Sequence, residues 1–450
     1  MRFDGQTYVV VGLGLSGHAA ARALLELGAT VRVTDASSNP AIEARAEELR
    51  AAGAGVETGG HELLSQPADV AVLSPGIPPT SEAVQRLRAA GTRVIGEVEL
   101  AWTLARCDVL AVTGTNGKST TTALLGQILA AAGIPSAAAG NIGTPLVDAV
   151  RALPSDGAVA AEVSSFQLEG IERFAPRVAV VLNIAEDHID WHGSLDTYVR
   201  AKARITKCQR EEDALVLNGE DERAMSIAGV TRARVVPFFS SHAPAEGAGV
   251  EEGRILWRGR PVMDVSDVPM PGMSGLQDAV AAATAALEYG VEARPVVEAV
   301  RAFVPLEHRL QVVAERDGIS YVDDSKATNP HATISAVQGF TDVVLIAGGL
   351  AKGIDLRALA ETVPPVRAVV ALGDAAAEVE TAFRGLVVTE RATSMRDAVA
   401  RARRHARPGG SVLLSPGCAS LDMYESYAAR GRDFARAVAG ELARQEGTSA

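Results

Sequence analysis

The sequence has 450 residues, of which 47% are hydrophobic and 22% are charged. Since domains usually hold about 100–200 residues, this length predicts two or three domains. The 55 acidic residues outnumber the 43 basic ones and give a net charge of −12, which argues against a protein that coats nucleic acid or an anionic membrane. Small anionic ligands stay compatible with that charge.

The spacing of the cysteines and the shortness of the apolar runs indicate the cellular compartment of the protein. Cys107, Cys208 and Cys418 form no CxxC pair, and the first residues, MRFDGQ, lack the apolar stretch of a signal peptide. No run approaches the roughly 18 apolar residues of a membrane helix. We therefore expect a cytoplasmic protein.

The first part of the chain alternates β-rich apolar runs with segments of helical period. The pattern predicts a strand at 7–13, a helix to about residue 28, and strands at 30–35 and 69–73. This spacing is typical of βαβ units in a mostly parallel sheet. A second α/β core begins with a strand at 108–113 and a helix at 118–132.

The rest of the chain continues the α/β pattern. We predict buried strands at 159–163 and 177–183, helices at 195–207 and 275–289, and a meander or irregular surface strands at 243–259. A third block begins near Pro305, with a hairpin turn at 315–318 and strands at 342–346, 368–372 and 411–414. The fold class is α/β with short linkers.

A glycine-rich motif follows the first predicted strand. Gly12-Leu13-Gly14-Leu15-Ser16-Gly17 opens a helix, and Asp35 ends the next strand. Such a turn lets the backbone approach a pyrophosphate at a helix N-terminus, although a tight βα turn also needs small residues for structural reasons. Taken alone the motif favours NAD, but the same geometry accepts any nucleoside diphosphate. Ser74-Pro75-Gly76 ends another strand at the same edge.

The most specific motif is Thr113-Gly114-Thr115-Asn116-Gly117-Lys118-Ser119-Thr120, between a strand and a helix. Backbone N–H groups of such a loop surround phosphates, the lysine neutralises charge and a hydroxyl ligates Mg²⁺. The motif departs from the common form because Val112 stands where the first glycine is usual. The sequence therefore predicts an ATP site.

Two more groups of polar residues follow predicted strands. Glu162 and His188 would emerge at one edge of the second sheet, where they could hold metal ions beside the phosphates. Lys326, Lys352 and the hydroxyls after residue 414 follow strands of the third block. Each lysine could bind a carboxylate or a phosphate, or could simply be solvated.

Taken together, these motifs make the chain resemble the Mur ligase family over nearly its whole length. The stretches that carry the resemblance are, in chain order, GLGLSG, SPG, TGTNGKST, GNIG, EVSSFQLE, NIAEDHID, YVRAKARI, LEHRL, DDSKATN, AGGLAKG and SPGCASLDMYESYAARGRDF. The resemblance implies three domains: a Rossmann-like UDP-substrate domain at 1–96, a P-loop ATPase-like α/β domain at 97–304 and a Rossmann-like amino-acid-binding domain at 305–450.

The similarity is greatest to the family members that add D-glutamate to UDP-N-acetylmuramoyl-L-alanine. It implies an ATP-dependent amide ligase of peptidoglycan precursor synthesis that works through an acyl phosphate. We expect a monomer with small-molecule substrates and without a nucleic-acid or membrane partner.

The resemblance also assigns roles to individual residues. The implied ATP contacts are Gly114, Thr115, Asn116, Gly117, Lys118, Ser119, Thr120, His308, Arg309 and Asp324. The implied Mg²⁺ ligands are Ser119, Glu162, His188 and Lys202, and the implied catalytic residues are Lys118, Glu162, His188 and Lys202. Lys202 would act as a carbamate, because an ammonium cannot coordinate a cation whereas carbamate oxygens suit Mg²⁺.

The two substrates have implied contacts as well. Those of the UDP substrate are Leu15, Ser16, Asp35, Gly76 and Asn141. Those of D-glutamate are Lys326, Thr328, Lys352, Ser420 and Tyr427. Lysines and hydroxyls suit the carboxylates of this amino acid.

The chain departs from the family pattern at three places. Ser274-Gly275-Leu276-Gln277-Asp278 stands where H-N-x-x-N is usual, which leaves the adenine contacts open. Ala36-Ser37 follows Asp35 without the arginine often seen there, and Tyr427 replaces a common phenylalanine.

Three alternative functions remain at this point. Other amide ligases, such as the L-alanine-adding Mur ligases or folylpolyglutamate synthetase, share the ATP loop but differ in the outer domains. A nicotinamide-dependent oxidoreductase would explain only the first glycine motif. A non-enzymatic nucleotide-binding module would give the metal and lysine positions no purpose.

Overall fold

The computed structural model describes residues 3–270 and 272–448. Its contacts separate two compact units. The first contains the chain up to Ile184, Asp196–Asp264 and Asp278–Ala302, and the second contains Ala185–Leu195, Val265–Gln277 and the chain from Phe303 onward. Two β-sheets belong to the first unit and a third belongs to the second.

The first sheet is parallel, with the strand order β3-β2-β1-β4-β5. Its strands are β1 Thr7–Val11, β2 Thr30–Asp35, β3 Gly55–Thr58, β4 Val70–Leu73 and β5 Arg93–Gly96. The helices of this region are α1 Leu15–Glu26, α2 Pro40–Ala51, α3 Glu82–Ala89 and α4 Glu97–Leu104, with a 3-10 helix at Glu62–Ser65. The central strand β1 reads TYVVV and is buried, as β-branched residues in a covered parallel sheet should be.

The second sheet has the order β14-β13-β12-β11-β10-β9-β6-β8-β7. Its strands are β6 Asp108–Thr113, β7 Ser136–Gly140, β8 Ala158–Glu162, β9 Val178–Val181, β10 Ala214–Asn218, β11 Arg234–Phe238, β12 Ala248–Glu251, β13 Arg254–Trp257 and β14 Arg260–Asp264. Strands β12, β13 and β14 form an antiparallel meander, so the meander predicted in the region 243–259 is confirmed.

The helices of the middle region connect these strands or follow them. They are α5 Lys118–Ala131, α6 Leu146–Ala152, α7 Ser165–Glu169, α8 Ile189–His192, α9 Leu195–Ala203, α10 Glu222–Ser226, α11 Gly272–Tyr289 and α12 Ala293–Arg301. Short 3-10 helices lie at Arg204–Thr206, Ile227–Val230 and Val265–Asp267.

The third sheet has the order β15-β16-β20-β17-β18-β19, and its neighbours are parallel except for the hairpin of β15 and β16. Its strands are β15 Gln311–Arg316, β16 Ile319–Asp323, β17 Val343–Gly348, β18 Val366–Leu372, β19 Val388–Arg391 and β20 Ser411–Leu414. The helices are α13 Pro330–Val337, α14 Ala376–Ala382, α15 Met395–His405 and α16 Tyr427–Thr448, with a 3-10 helix at Leu356–Thr362.

The predicted α/β class is confirmed, and most differences lie at element ends. The strand predicted at 108–113 is confirmed and its helix ends one residue early, at Ala131. The helix predicted at 195–207 is α-helical only to Ala203 and continues as a 3-10 turn. The hairpin turn predicted at 315–318 is confirmed, with positive φ at Asp317 and Gly318. The domain boundaries stay a prediction.

Buried carboxylates of α4 join the first two sheets. Glu99 is 1% exposed and accepts hydrogen bonds from the backbone N–H groups of Glu172, Arg173 and Phe174. Glu97 is 2% exposed and accepts one from the N–H of Val147 at 3.1 Å. Within the described parts of the chain, no helix is long and apolar enough to cross a membrane.

Candidate active site

The phosphate-binding motif forms a loop between β6 and α5, as predicted. Gly117 has a φ of 84° and begins the helix, so a side chain there would be strained. Lys118 Nζ donates to the carbonyl oxygens of Gly114 at 3.0 Å and Thr115 at 2.8 Å. Ser119 and Thr120 are buried in the first turn of α5. The loop therefore presents an ammonium group and a helix N-terminus, which together suit phosphate.

The loop is held by the end of the neighbouring strand β9. The N–H of Thr115 donates to the carbonyl oxygen of Asn183 at 2.9 Å, and the N–H of Asn116 donates to Asn183 Oδ1 at 2.8 Å. Asn183 Nδ2 donates back to the carbonyl oxygen of Asn116 at 3.2 Å. These bonds preorganise the loop.

A second lysine reaches the same loop from α9. Lys202 is 1% exposed, its Nζ donates to the carbonyl oxygen of Gly114 at 2.6 Å, and it lies 4.5 Å from the ring centroid of Tyr198. The Tyr198 hydroxyl lies 3.2 Å from Thr115 Oγ1. Lys202 and Lys118 thus donate to the same carbonyl oxygen, that of Gly114. We had predicted no role for Tyr198. Its position four residues before Lys202, on the same face of one helix, could have indicated their contact.

Glu162 ends β8, the other neighbour of β6. It is 2% exposed, and its Oε1 accepts a hydrogen bond from Asn141 Nδ2 at 2.8 Å. Its Oε2 is buried without a hydrogen-bond partner among the described residues. A buried carboxylate oxygen that lacks a partner fits a cation, because an unpaired buried charge is costly.

The described residues contain no ready-made cluster of metal ligands. Among residues 3–270 and 272–448, no three His, Cys, Asp or Glu side chains are grouped so as to hold a metal ion. Glu162 and Ser119 belong to the first compact unit and His188 to the second. His188 has a φ of 54° and begins the short helix α8.

The glycine motif of the first sheet also has the predicted place, at the carboxyl end of β1. A Cβ on Gly17 would collide with the carbonyl oxygen of Gly12, so the third glycine is required for packing. Asp35 accepts from the N–H of Leu13 at 2.6 Å and from the N–H of Ser37 at 2.7 Å.

Three of the residues predicted to contact the UDP substrate are exposed or half-buried at this edge of the first sheet. Leu15 is 63% exposed at the start of α1, Ser16 is half-buried and Gly76 is exposed. Asn141 is also exposed, but it lies with Glu162 at the second sheet.

An arginine that the sequence analysis missed lies at the same turn. Arg45 of α2 is half-buried, and its Nη1 donates to the carbonyl oxygen of Leu13 at 3.1 Å. It brings a cation to the glycine motif, although the residues directly after Asp35 contain none. No local pattern links Arg45 to a turn 32 residues away.

In the second unit, three loops meet at one sheet edge because β16, β20 and β17 are parallel neighbours. They carry DDSKATN, SPGCASLD and AGGLAKG. Leu350 and Ala419 exchange backbone hydrogen bonds at 2.8 and 3.1 Å, which brings the loops of Lys352 and Ser420 together. Ser420 is buried and Lys352 is exposed, with a φ of 52°.

Lys326 and Tyr427, two of the residues predicted to contact D-glutamate, lie against each other. Its Nζ lies 3.3 Å from the Tyr427 hydroxyl oxygen and 4.9 Å from the ring centroid. Thr328 is half-buried in the same loop. The His308 ring packs edge-on against Tyr427, with centroids 6.3 Å apart.

The residues predicted to contact the nucleotide are His308, Arg309 and Asp324. Asp324 and its neighbour Asp323 form a pair of buried acids. His308 Nδ1 lies 2.7 Å from Asp323 Oδ2, and Ser415 Oγ donates to Asp324 Oδ2 at 2.8 Å. Burial raises the pKa of the Asp324 carboxyl to about 7, against the opposing effects of Ser415 and Arg309. Arg309 Nε is buried without a partner among the described residues.

The same loops depend on Arg430, which the sequence analysis did not single out. Its guanidinium is 2% exposed and donates to Ser325 Oγ and to the carbonyl oxygens of Ser325 and Cys418. Burial lowers its pKa to about 10. Arg430 therefore holds the DDSKATN and SPGCASLD loops together.

One departure from the family pattern, the stretch that ends at Asp278, reaches the phosphate loop. Asp278 of α11 lies against the phosphate loop, and a Cβ on Gly117 would collide with its carboxylate. Asp278 is 7% exposed. A carboxylate accepts hydrogen bonds but donates none, so any base that it contacts must present an N–H.

Three family models match successive parts of the chain. The "Mur ligase MurD-like, N-terminal domain" model matches residues 6–96, the "Mur ligase middle domain" model matches 112–286, and the "Mur ligase, glutamate ligase domain" model matches 308–418. Together they cover most of the sequence. The chain belongs to the Mur ligase family.

Curated relatives extend this match over nearly the full length. Proteins named UDP-N-acetylmuramoylalanine--D-glutamate ligase are 41% identical in Acidobacterium capsulatum, 42% in Pelotomaculum thermopropionicum and 44% in Frankia casuarinae. The matches cover 96%, 97% and 96% of this chain and 96%, 98% and 94% of the relatives.

Solved Mur ligase structures share the fold. The UDP-N-acetylmuramate-alanine ligase MurC of Thermotoga maritima superposes with a TM-score of 0.59 at 17% identity, over 97% of this chain and 99% of that one. The MurF ligase of the same organism, solved in complex with ADP, gives a TM-score of 0.61 at 15% identity, over 92% and 96% of the two chains. The predicted three-domain α/β class agrees with these matches.

Proposed function

We propose that this Mur ligase joins D-glutamate to UDP-N-acetylmuramoyl-L-alanine at the expense of ATP, in peptidoglycan precursor synthesis. The observation that carries the proposal is the near-full-length identity with D-glutamate ligases, at 41–44%. Within the family, such identity in the outer domains as well as in the ATP loop separates this activity from L-alanine addition. The three free cysteines agree with a cytoplasmic enzyme, and we expect it to act as a monomer.

The first chemical step is phosphoryl transfer. The terminal carboxylate of the UDP substrate attacks the γ-phosphorus of ATP, which forms an acyl phosphate and releases ADP. Lys118, together with the N–H groups of Gly114–Thr120, would bind the phosphates and stabilise the charge that develops on the γ-phosphoryl oxygens. Their preorganisation by Asn183 supports this role, because groups that are already oriented need no reorganisation during the reaction.

Divalent cations have plausible ligands in the same region. Ser119 and Glu162 would hold one Mg²⁺, which supplies charge neutralisation for the phosphates. Glu162 Oε2, which has no hydrogen-bond partner among the residues that the structure describes, supports this assignment. His188 and the carbamate of Lys202 would hold a second. The full burial of Lys202 beside the ammonium of Lys118 supports carbamylation, since an anion would relieve the concentration of positive charge there.

The second step forms the amide bond. The amine of D-glutamate attacks the acyl carbonyl carbon, the C–O bond to phosphate breaks and inorganic phosphate leaves. Lys326, Lys352, Thr328, Ser420 and Tyr427 would orient the two carboxylates of D-glutamate. The convergence of their loops at one sheet edge supports this role. His308, Arg309 and Asp324 would contact the nucleotide, and Leu15, Ser16, Asp35, Gly76 and Asn141 the UDP substrate.

Substrate omission and exchange test the proposal. The purified protein should release phosphate when UDP-N-acetylmuramoyl-L-alanine, ATP, Mg²⁺ and D-glutamate are all present. Exchange of D-glutamate for L-glutamate or L-alanine should abolish the release. Turnover with L-alanine and UDP-N-acetylmuramate instead would contradict the proposal, and ATP binding without any turnover would favour a non-enzymatic nucleotide-binding module.

A further inference from the structure

The segment that carries His188 is tied to the amino-acid loop. Ala185–Leu195 follows a strand of the second sheet, yet its contacts assign it to the second compact unit. Asn329 Nδ2 donates a hydrogen bond to Asp187 Oδ2 at 3.1 Å, across 142 residues of sequence. Asn329 ends the DDSKATN loop, which also contains Lys326 and Thr328.

The orientation of the Asn329 amide follows from its second role. Its Oδ1 accepts a hydrogen bond from the N–H of Ala332 at 2.9 Å and thereby caps α13, so the NH₂ group must face Asp187. The residue is 2% exposed. Asn329 is therefore held by a helix on one side and presents a fixed donor on the other.

Asp187 transmits this orientation to the next residue. Its Oδ1 accepts a hydrogen bond from the N–H of His188 at 2.9 Å. His188 has a φ of 54°, a left-handed backbone conformation that is uncommon for a residue with a side chain and that needs support from its surroundings. One hydrogen-bonded chain thus runs from the start of α13 through Asn329 and Asp187 to the His188 backbone.

We propose that Asn329 is a positioning residue, which through Asp187 sets the place of the His188 imidazole relative to the amino-acid loop. This inference rests on the proposed function, in which His188 holds Mg²⁺ and Lys326 binds D-glutamate. The residue that ends the amino-acid loop then also orients the metal-binding segment. Binding of Mg²⁺ and binding of D-glutamate are therefore coupled.

Paired substitutions test the hydrogen bond itself. Asn329→Asp keeps the cap acceptor but loses the donor and sets two carboxylates against each other. Asp187→Asn keeps the acceptor for the His188 N–H but sets two NH₂ groups against each other. The double variant restores all three hydrogen bonds with the central donor and acceptor exchanged. It should therefore recover what each single variant loses through these hydrogen bonds, although the 3.8 Å contact of a carboxylate oxygen at position 187 with His188 Nε2 is not restored.

The variants should change some kinetic parameters and leave others unchanged. Each single variant should lower kcat about 10-fold and raise the Mg²⁺ concentration needed for half-maximal activity, because the loss of a partly buried hydrogen bond that leaves two like groups facing each other typically costs that much. The KM for the UDP substrate should stay unchanged. The double variant should return to within about 3-fold of the wild type. A merely destabilised protein would lose active enzyme without any change in its Mg²⁺ requirement.

Asn39→Asp is a matched control. Asn39 also caps a helix and also precedes a proline, but it is exposed, and its Oδ1 accepts from the N–H groups of Ala41 and Ile42. This variant should keep the wild-type kcat and Mg²⁺ requirement.

Hydrogen exchange separates this inference from the proposed function. Exchange of the backbone amides in residues 185–195 should quicken in both single variants and slow again in the double variant, whether or not the protein turns over. Unchanged exchange in the single variants, or a double variant that stays as impaired as they are, would overturn the inference. A wild-type protein that is inactive with the substrates named above would instead refute the proposed function.

Discussion

Glu97 offers a quantitative test of how the first two sheets are joined. Its carboxyl is 2% exposed, and its Oε1 accepts a hydrogen bond from the N–H of Val147. Its Oε2 is buried without a partner among the described residues. Burial raises the pKa of this carboxyl from 4.5 to about 7, because the charged form loses its hydration. Glu97→Gln removes the titration and keeps nearly the same shape.

The magnitude follows from linkage. A rise in pKa from 4.5 to about 7 corresponds to about 3 kcal/mol. Since the folded state holds the proton more tightly than the unfolded state, the stabilisation is complete below pH 4.5 and is lost as the pH rises through about 7. The unfolding free energy of Glu97→Gln, relative to the wild type, should therefore rise by about 3 kcal/mol between pH 4.5 and pH 8.

The assay is urea denaturation at several pH values, followed by tryptophan fluorescence. Trp102 lies on the same helix as Glu97 and packs edge-on against Phe174, with ring centroids 5.8 Å apart. Replacing Trp191 and Trp257 by phenylalanine would isolate its signal. The exposed Glu82, which pairs with Arg86, supplies the control Glu82→Gln.

The two variants should behave differently. The stability difference between Glu82→Gln and the wild type should stay small, because an exposed ion pair such as that of Glu82 and Arg86 contributes little to stability. A difference between Glu97→Gln and the wild type that stays constant from pH 4.5 to pH 8 would refute the reasoning.

Three further substitutions probe the ligand sites. Gly17→Ala forces a Cβ onto the carbonyl oxygen of Gly12 and should lower the unfolding free energy by about 2 kcal/mol in thermal or urea denaturation. A Cβ on Gly14 meets no atom within 4 Å, so the control Gly14→Ala should not lower the unfolding free energy in this way. Arg45→Ala should raise the KM for the UDP substrate about 10-fold without changing the KM for ATP, while Arg50→Ala, one turn further along α2, leaves both unchanged. Lys202→Ala should lose ligase activity and regain part of it with short carboxylic acids, which replace the carbamate; full activity without them would make this lysine dispensable.

Local sequence was sufficient for the parts of the fold whose determinants are adjacent in the chain. The strand, glycine turn and helix of the phosphate loop all lie within 108–131, and the first glycine motif is equally local. The hairpin at 315–318 follows from turn chemistry alone. Element ends were less accurate, as with α9, because helix termini depend on tertiary contacts as well as on propensity.

Tertiary structure decided how these local pieces act on one another. The order β9-β6-β8 places Asn183 and Glu162 on either side of the phosphate loop, and nothing within any one strand specifies its neighbours. The contact of Lys202 with Gly114 spans 88 residues, and that of Asn329 with Asp187 spans 142.

The sequence by itself thus determined the α/β class, the phosphate loop and the family of this protein, because these depend on short motifs and their order. Only the tertiary structure assigned partners to the buried charges Glu97, Lys202 and Arg430. A buried charge must be compensated wherever the folded chain brings a partner, and that partner's position in the sequence follows no local pattern.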